Sequence, residues 1–112
     1  MSFMHELGIA QEIVEIACAQ AKDARVKRVV VQIGKLSAVL PEAVRFCFDL
    51  CTEGTMAAGA ELEILEPAGV ARCRGCGGEV LLDRPFGQCC CGSTDLDWLS
   101  GDELKIQEVE VA

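Results

Sequence analysis

The 112-residue chain has no tyrosine, one histidine and one tryptophan, and its 18 acidic residues outnumber its 10 lysine and arginine residues. This scarcity of basic and aromatic side chains argues against nucleic-acid binding, which needs a cationic surface and stacking rings. The amino terminus lacks the basic segment and the apolar run of a secretory signal peptide. No apolar stretch has the length of a membrane span. We therefore expect a cytoplasmic protein that binds neither nucleic acid nor membranes.

Cysteine, by contrast, is abundant, with eight residues. In a reducing compartment such thiols serve as metal ligands or core residues and not as disulfides. Five of them form two clusters, a Cys-x-x-Cys made by Cys73 and Cys76 and a run of Cys89, Cys90 and Cys91. Two thiolates from each cluster complete the tetrahedral site that Zn²⁺ prefers. The spacing predicts a structural zinc site, because a thioredoxin-type redox motif has a single Cys-x-x-Cys.

The second cluster is shorter than the Cys-x-x-Cys of a regular zinc ribbon, since Gln88 stands three residues before Cys91. Any two of Cys89, Cys90 and Cys91 could supply the second pair of thiolates. Adjacent cysteines chelate one ion only with strain, so Cys89 and Cys91 are predicted to join the first cluster. Cys90 is then spare, or an alternative ligand.

Apolar side chains recur at helical spacing in two segments, and β-branched or alternating apolar residues mark three extended ones. The predicted helices cover residues 7–22 and 41–53, and the predicted strands cover residues 26–33, 60–66 and 103–111. The cysteine-rich segment falls between the second and third strands. The predicted fold class is therefore α+β: a small three-stranded sheet with two helices, carrying an inserted zinc-ribbon-like lobe.

We place the domain boundaries where the composition changes, so that residues 1–68 plus 99–112 form one α/β domain and residues 69–98 form the zinc-binding lobe. The lobe has few apolar side chains for its length, so its metal is expected to hold it together. Because the lobe is connected to the first domain twice, a homodimer formed by domain swapping is one expectation for the assembly. The remaining cysteines are expected in the core: Cys18, Cys47 and Cys51.

The single histidine, His5, lies near the amino terminus in the segment Met4-His5-Glu6. A lone histidine is most often a surface or helix-capping residue, and that interpretation stays open. Beside a terminal amine and free backbone amides, an imidazole can also complete a square-planar nitrogen set, which Ni²⁺ and Cu²⁺ favour and Zn²⁺ does not. Glu6 is then a candidate weak ligand, or a partner that orients the ligands.

A set of motifs spans the chain from Met4 to its end. They are Met-His-Glu at the start, IGKLS after the first predicted strand, FCFDLCTEGT at the end of the second helix, LEIL in the second strand, the two cysteine clusters, and CGSTDL with SGDELKIQEVEV at the end. In this combination the chain resembles the HypA/HybF nickel metallochaperones of [NiFe]-hydrogenase maturation.

The resemblance implies a small α/β nickel-binding domain that carries a zinc lobe. It implies a role that is not enzymatic: delivery of Ni(II) to the hydrogenase large subunit, with the GTPase HypB as partner. It also implies that His5, and with it Glu6, contributes to nickel binding. The implied zinc ligands are Cys73, Cys76, Cys89 and Cys91.

Two features depart from the family pattern. Met1-Ser2-Phe3 precede the Met-His-Glu that is normally the literal terminus, and the second cysteine pair is a Cys-x-Cys. The alternative function is a zinc-ribbon module that binds protein or nucleic acid without a nickel role. Such a module needs a basic face with aromatic rings for stacking. The single tryptophan, Trp98, and the net charge of −8 argue against that face. A zinc hydrolase is disfavoured because an all-cysteine site leaves no position open for water.

Overall fold

The computed structural model describes the backbone of residues 3–112 and the side chains of residues 5–112. Two helices and six strands follow one another along this part of the chain. In chain order they are α1 (Phe3–Ala21), β1 (Val26–Ile33), α2 (Pro41–Cys51), β2 (Glu61–Leu65), β3 (Gly69–Cys73), β4 (Glu79–Leu82), β5 (Leu96–Ser100) and β6 (Leu104–Val111). The strands form two three-stranded sheets, in the orders β2-β1-β6 and β4-β3-β5.

The chain divides into two compact units. The first contains the residues up to Val31 together with Val39–Ile64 and Lys105–Ala112, and the second contains Gln32–Ala38 and Leu65–Leu104. The second unit therefore extends beyond residues 69–98 on both sides. It also includes the last two residues of β1 and the five residues that follow them.

Backbone hydrogen bonds explain why that segment belongs to the second unit. Three consecutive N–H groups donate to carbonyl oxygens of the same unit over 2.8–3.0 Å: Gly34 to Glu103, Lys35 to Pro67, and Leu36 to Gly101. The side chain of Leu36 is then buried against Ala71 and Leu82.

The first unit consists of the two helices and the sheet β2-β1-β6. Apolar residues at helical spacing bury one side of α1, and the two helices pack against each other. The buried side chains are Ala10, Ile13, Val14 and Ala17 from α1, Val44, Cys47 and Phe48 from α2, and Val29, Val31 and Leu62 from the sheet. This confirms the predicted architecture of two helices and a small three-stranded sheet.

Arg28 of β1, the central strand of this sheet, forms ion pairs with both neighbouring strands. Its guanidinium contacts Glu61 and Glu63 of β2, and Glu108 and Glu110 of β6. The hydrogen bond to Glu63 and the charges of the surrounding carboxylates raise the pKa of Arg28. Single pairs at a surface stabilise little, but here one cation links all three strands of the sheet.

The second unit contains three strands that the sequence analysis did not predict. β3 pairs antiparallel with both β4 and β5, and this register places Ala71 opposite Val80 and Trp98. Ala71 packs with Leu36 and Leu82 in a small cluster, against which Val80 and Leu96 are partly buried. Trp98 remains 45% exposed. The lobe is thus a sheet with a small apolar core, and not only a pair of metal-binding turns.

Two helix boundaries differ from those predicted by two residues or more. α1 begins at Phe3 and not at residue 7, so that His5 and Glu6 lie in its first turns. α2 ends at Cys51, two residues early, because Thr52 caps it: the Thr52 N–H donates to Phe48 and its hydroxyl to the Asp49 carbonyl, both over 3.0 Å. Because α1 starts early, the candidate site at the amino terminus lies on a helix and not on an extended segment.

We predict opposite effects for two Gly→Ala changes. A Cβ on Gly34 would overlap the carbonyl oxygen and carbon of Gly101, which are backbone atoms, so Gly34→Ala should destabilise the protein by about 1–3 kcal/mol. A Cβ on Gly8 of α1 would meet nothing within 4 Å. Gly8→Ala should therefore stabilise the helix by about 0.5–1 kcal/mol. Urea unfolding of the metal-loaded protein measures the change in stability of each variant. Equal unfolding midpoints for the two variants would contradict the packing described around Gly34 and Gly8.

Candidate metal centres

The first cysteine pair lies where β3 turns into β4. Cys73 is the last residue of β3, and Cys76 lies in the turn that follows. The Gly77 N–H donates to the Cys73 carbonyl and the Cys73 N–H donates to the Gly78 carbonyl, each over 2.9 Å. Gly77 has a φ of +77°, which only glycine adopts without strain. These constraints fix both thiols in one tight turn.

The second cluster forms a similar turn between β4 and β5. The Cys89 N–H donates to the Ser93 carbonyl over 2.9 Å, and the Gly92 N–H donates to the Cys89 carbonyl over 2.8 Å. Gly92 has a φ of +95°. This conformation lets the Cys89 and Cys91 sulfurs converge, whereas the Cys90 thiol between them is exposed and lies outside the group.

The four sulfur atoms from the two turns form one compact group. The Cys73 and Cys91 sulfurs are 3.6 Å apart, and the Cys76 and Cys89 sulfurs are 3.5 Å apart. All four lie within 4.8 Å of one another. Four thiolates around a tetrahedral ion at the usual Zn–S distance would lie about 3.8 Å apart. The donor set and its spacing therefore fit a tetrahedral thiophilic dication.

Backbone N–H groups point at these sulfurs and set their protonation. The N–H of Cys76, and after it that of Gly75 at 3.3 Å, stabilise the Cys73 thiolate and lower its pKa to about 6. The Cys91 sulfur accepts from the Ser93 N–H, yet its contacts with the neighbouring thiols raise its pKa to about 12. One thiolate and one thiol thus share the Cys73–Cys91 contact.

The other sulfur–sulfur contact repeats this arrangement. The Cys91 N–H lowers the pKa of Cys89. The Gly78 N–H favours the Cys76 thiolate, but contact with the Cys89 sulfur raises the pKa of Cys76 on balance. A dication bound by the four sulfurs would displace the protons that their thiol forms carry.

At the other end of the chain, the structure places the two predicted nickel residues in opposite environments. His5 is exposed on the first turn of α1, while the neighbouring Glu6 is completely buried. Glu6 Oε2 accepts a hydrogen bond from the Leu40 N–H over 3.2 Å, at the residue that precedes α2. Its Oε1 is buried and has no hydrogen-bond partner among residues 5–112.

Sequence reasoning missed the burial of Glu6, because an acidic residue near a helix start is usually solvated and interacts with the helix dipole. Leu40 cannot cap α2 with a side chain, so the start of α2 depends on this carboxylate from α1. Glu6 therefore joins the first turns of the two helices. The terminal amine, which the sequence analysis named as a possible nitrogen donor, lies outside the described residues.

The remaining thiols lie in the first unit. Cys47 is fully buried, as expected, whereas Cys18 and Cys51 are only half-buried. Neither helix in the described part of the chain is long and apolar enough to cross a bilayer.

The whole chain is similar to proteins of one family. The family model described as "Hydrogenase/urease nickel incorporation, metallochaperone, hypA" matches residues 4–111. The hydrogenase maturation factor HypA of Nostoc punctiforme is 60% identical over 108 residues, which cover 96% of each chain. The hydrogenase maturation factor HypA of Geotalea uraniireducens is 43% identical over 109 residues, covering 96% of this chain and 99% of the other.

Two solved structures share the fold. The solution structure of the Ni metallochaperone HypA from Helicobacter pylori matches with a TM-score of 0.63 and 22% identity, covering 95% of this chain and 96% of that one. A second HypA solution structure matches with a TM-score of 0.66 and 24% identity, covering 97% of each. At these identities the likeness concerns the fold.

The geometry of the second cluster predicts how three cysteine variants differ. Cys89→Ser and Cys91→Ser should each lose most of the bound metal, because each removes one of four converging thiolates. Cys90→Ser should keep about one ion per chain, since its thiol lies outside the group. Elemental analysis of purified protein measures the metal content. Loss of metal in Cys90→Ser with retention in either of the others would contradict this arrangement.

Metal uptake should release a pH-dependent number of protons. At neutral pH the raised pKa values of Cys76 and Cys91 keep those thiols protonated, so binding should release roughly two to three protons. Below the Cys73 pKa of about 6 that thiol is protonated as well, so binding must release its proton too. Proton release should therefore rise, and affinity fall, on acidification. Calorimetry in buffers of different ionisation enthalpy measures the number, and a constant value would contradict the prediction.

Proposed function

Because this chain belongs to the HypA family of nickel-incorporation metallochaperones, we propose that it binds Ni(II) through the Met4-His5-Glu6 segment and delivers it during maturation of a [NiFe]-hydrogenase. The observation that carries this proposal is the position of His5. The only imidazole of the chain is exposed on the first turn of α1, directly beside a buried carboxylate.

The start of a helix offers nickel further nitrogen donors. The first backbone N–H groups of a helix have no acceptor within that helix, and α1 begins at Phe3, two residues before His5. We propose that backbone nitrogens of this turn take part in binding. Ligation by deprotonated amides requires local unwinding, which costs least in a terminal turn. Together with the imidazole, such nitrogens give the square-planar set that Ni²⁺ favours. Because His5 faces solvent, a partner's ligands can approach the ion and remove it.

We propose that Glu6 acts mainly by positioning this turn. Its carboxylate is buried and one oxygen already accepts the Leu40 N–H, so it holds the beginning of α1 against the beginning of α2. The second oxygen retains free lone pairs, and a direct contact with nickel is the alternative role. In either role Glu6 links nickel binding to the arrangement of the two helices.

We further propose that the ion in the tetracysteine site is Zn(II) and that its role is structural. Four thiolates leave no open position for a substrate or a water molecule, and the surrounding N–H groups favour a permanent site. A reduced thiolate site also requires a reducing compartment, which supports a cytoplasmic location. The protein then acts stoichiometrically and not as an enzyme.

The proposed partners follow from the role in hydrogenase maturation. They are the GTPase HypB and the large subunit of the hydrogenase. A homodimer, including one formed by domain swapping, is proposed because the second unit is linked to the first through several chain crossings, so that exchange of a whole unit preserves its internal contacts.

The nickel proposal predicts that His5→Ala abolishes Ni(II) binding and leaves zinc content and helicity unchanged. His5 is exposed, so its removal costs little packing, while no other imidazole can replace it. Because nickel competes with protons for the imidazole nitrogen, binding should weaken as the pH falls. Calorimetry on zinc-loaded protein measures the affinity. Glu12→Ala, which removes an exposed donor from the same helix, is the matched control and should bind nickel normally.

Two further variants assign the remaining donors. Glu6→Gln keeps a carbonyl oxygen for the Leu40 N–H, so it should retain nickel if Glu6 only positions the turn and lose it if the carboxylate binds the ion. A chain that begins at Met4 should bind more tightly than one that begins at Met1 if the terminal amine is a ligand. Undiminished binding by His5→Ala would refute the nickel site and favour the zinc-ribbon binding module.

A further inference from the structure

An open groove in the second unit is lined by two aromatic rings that neither proposed metal site uses. It has a volume of about 410 Å³, which is in the range of pockets that hold ligands. Its apolar lining consists of Leu82, Pro85, Phe86, Leu96 and Trp98, and we refer to it as the aromatic groove. The polar lining is uncharged, because it consists of glutamine, threonine and glycine.

The two rings of the groove are exposed, although they lie beside the apolar cluster of this unit. Phe86 is 69% exposed and Trp98 is 45% exposed, whereas Leu82 is buried and Leu96 is partly buried. The Trp98 indole N–H donates to no acceptor within residues 5–112. The groove therefore presents ring surface and one unused hydrogen-bond donor.

The loop between β4 and Cys89, which carries one of the two rings, is held in place along its length. Its last residue belongs to the tetracysteine site. Gly87 lies so close to β4 that a Cβ there would be 2.5 Å from the Cδ2 atom of Leu82. The Gln88 side chain donates from Nε2 to the Gly92 carbonyl over 2.8 Å. A partner would therefore meet a groove that is already formed, which lowers the entropic cost of binding.

Arg84 places a positive charge beside the groove. Its Cζ atom lies 5.8 Å from the centre of the Phe86 ring, a distance typical of a cation–π contact. Arg84 forms no ion pair within residues 5–112, whereas the other three basic residues of the second unit do: Lys35 pairs with Asp83, Arg72 with Glu79, and Arg74 with Asp95 and Asp97. The guanidinium of Arg84 is therefore available to a carboxylate from outside.

Three classes of ligand use exposed aromatic rings, and the groove favours one of them. A methylated lysine is disfavoured because Arg84 already covers the Phe86 ring with a positive charge. A single-stranded nucleic acid needs several free cations along its backbone, and this unit has one. An extended proline-containing peptide packs its rings on aromatic side chains and offers carbonyl oxygens to a donor such as the Trp98 N–H.

We propose that the aromatic groove binds an extended, proline-containing segment of a partner protein in which an acidic residue follows the prolines. The proline rings pack against Phe86 and Trp98, and a backbone carbonyl accepts the Trp98 indole N–H. The carboxylate pairs with Arg84. This interaction involves no covalent step, and it does not rest on the proposed nickel site at His5.

Fluorescence tests the proposal directly, because Trp98 is the only tryptophan of the chain. Metal-loaded full-length protein is titrated with an acetylated and amidated peptide, Pro-Pro-Leu-Pro-Pro-Glu-Glu. A second peptide ends in Lys-Lys and is otherwise identical. We expect a saturable change in Trp98 fluorescence with the glutamate peptide, and binding weaker by roughly tenfold or more with the lysine peptide.

Three variants assign the contacts. Arg84→Glu should reverse the preference, so that the lysine peptide binds more tightly than the glutamate peptide. Phe86→Ala truncates an exposed ring, leaves the fold intact, and should weaken binding of the glutamate peptide by roughly tenfold. Leu81→Ala is the matched control, since Leu81 is 75% exposed on β4 but does not line the groove, and its binding should be unchanged.

Any of four results would overturn the proposal. They are the absence of a saturable fluorescence change up to about 1 mM glutamate peptide, equal affinity of the wild-type protein for the two peptides, an unchanged preference in Arg84→Glu, and equal affinities of Phe86→Ala and Leu81→Ala. Tighter binding of a single-stranded oligothymidylate than of the glutamate peptide would identify a nucleic-acid surface instead. Nickel binding at His5 is measured on the same samples, and its outcome does not bear on the groove.

Discussion

Four sulfur atoms that must meet at one point determine the geometry of the second unit. Two short turns, one after β3 and one before β5, bring their thiols to within 4.8 Å of one another, and backbone N–H groups point at the sulfurs. The apolar cluster beside them contains only three buried side chains. So small a core does not offset the conformational entropy of the residues in the second unit, so a metal ion held by the four sulfurs would supply much of its stability.

The first unit depends on a different interaction, a carboxylate inside its core. Glu6 is as buried as Val29, Val31 and Val44, although burial of a polar side chain with one hydrogen bond is costly. Its position joins the starts of α1 and α2 beside the exposed His5. Glu6 therefore makes the conformation at the start of α1 sensitive to how the two helices pack. The proposed nickel site lies at this helix start and shares that sensitivity.

Patterns with a regular period were predictable from the sequence, and contacts between distant segments were not. The helical spacing of Ile13 and Ala17 predicted α1, and the β-branched run around Val29 predicted β1. The spacing of the cysteines predicted which four sulfurs converge. Strand β3 carries glycine, arginine and cysteine where a strand pattern would have apolar residues, and β4 has only four residues, so only the pairing of these strands reveals them. The Glu6–Leu40 bond spans 34 positions and leaves no local signal.

In the sheet β2-β1-β6 one arginine pairs with four glutamates, so substitution of the arginine and substitution of a glutamate have different consequences. Loss of one glutamate removes one ion pair and leaves Arg28 paired with both neighbouring strands. Loss of Arg28 leaves four carboxylates on the two outer strands, β2 and β6, with no guanidinium between them, so attraction becomes repulsion. Substitution of a single glutamate on this surface is therefore tolerated, because the other glutamates are redundant with it, whereas no other residue replaces Arg28.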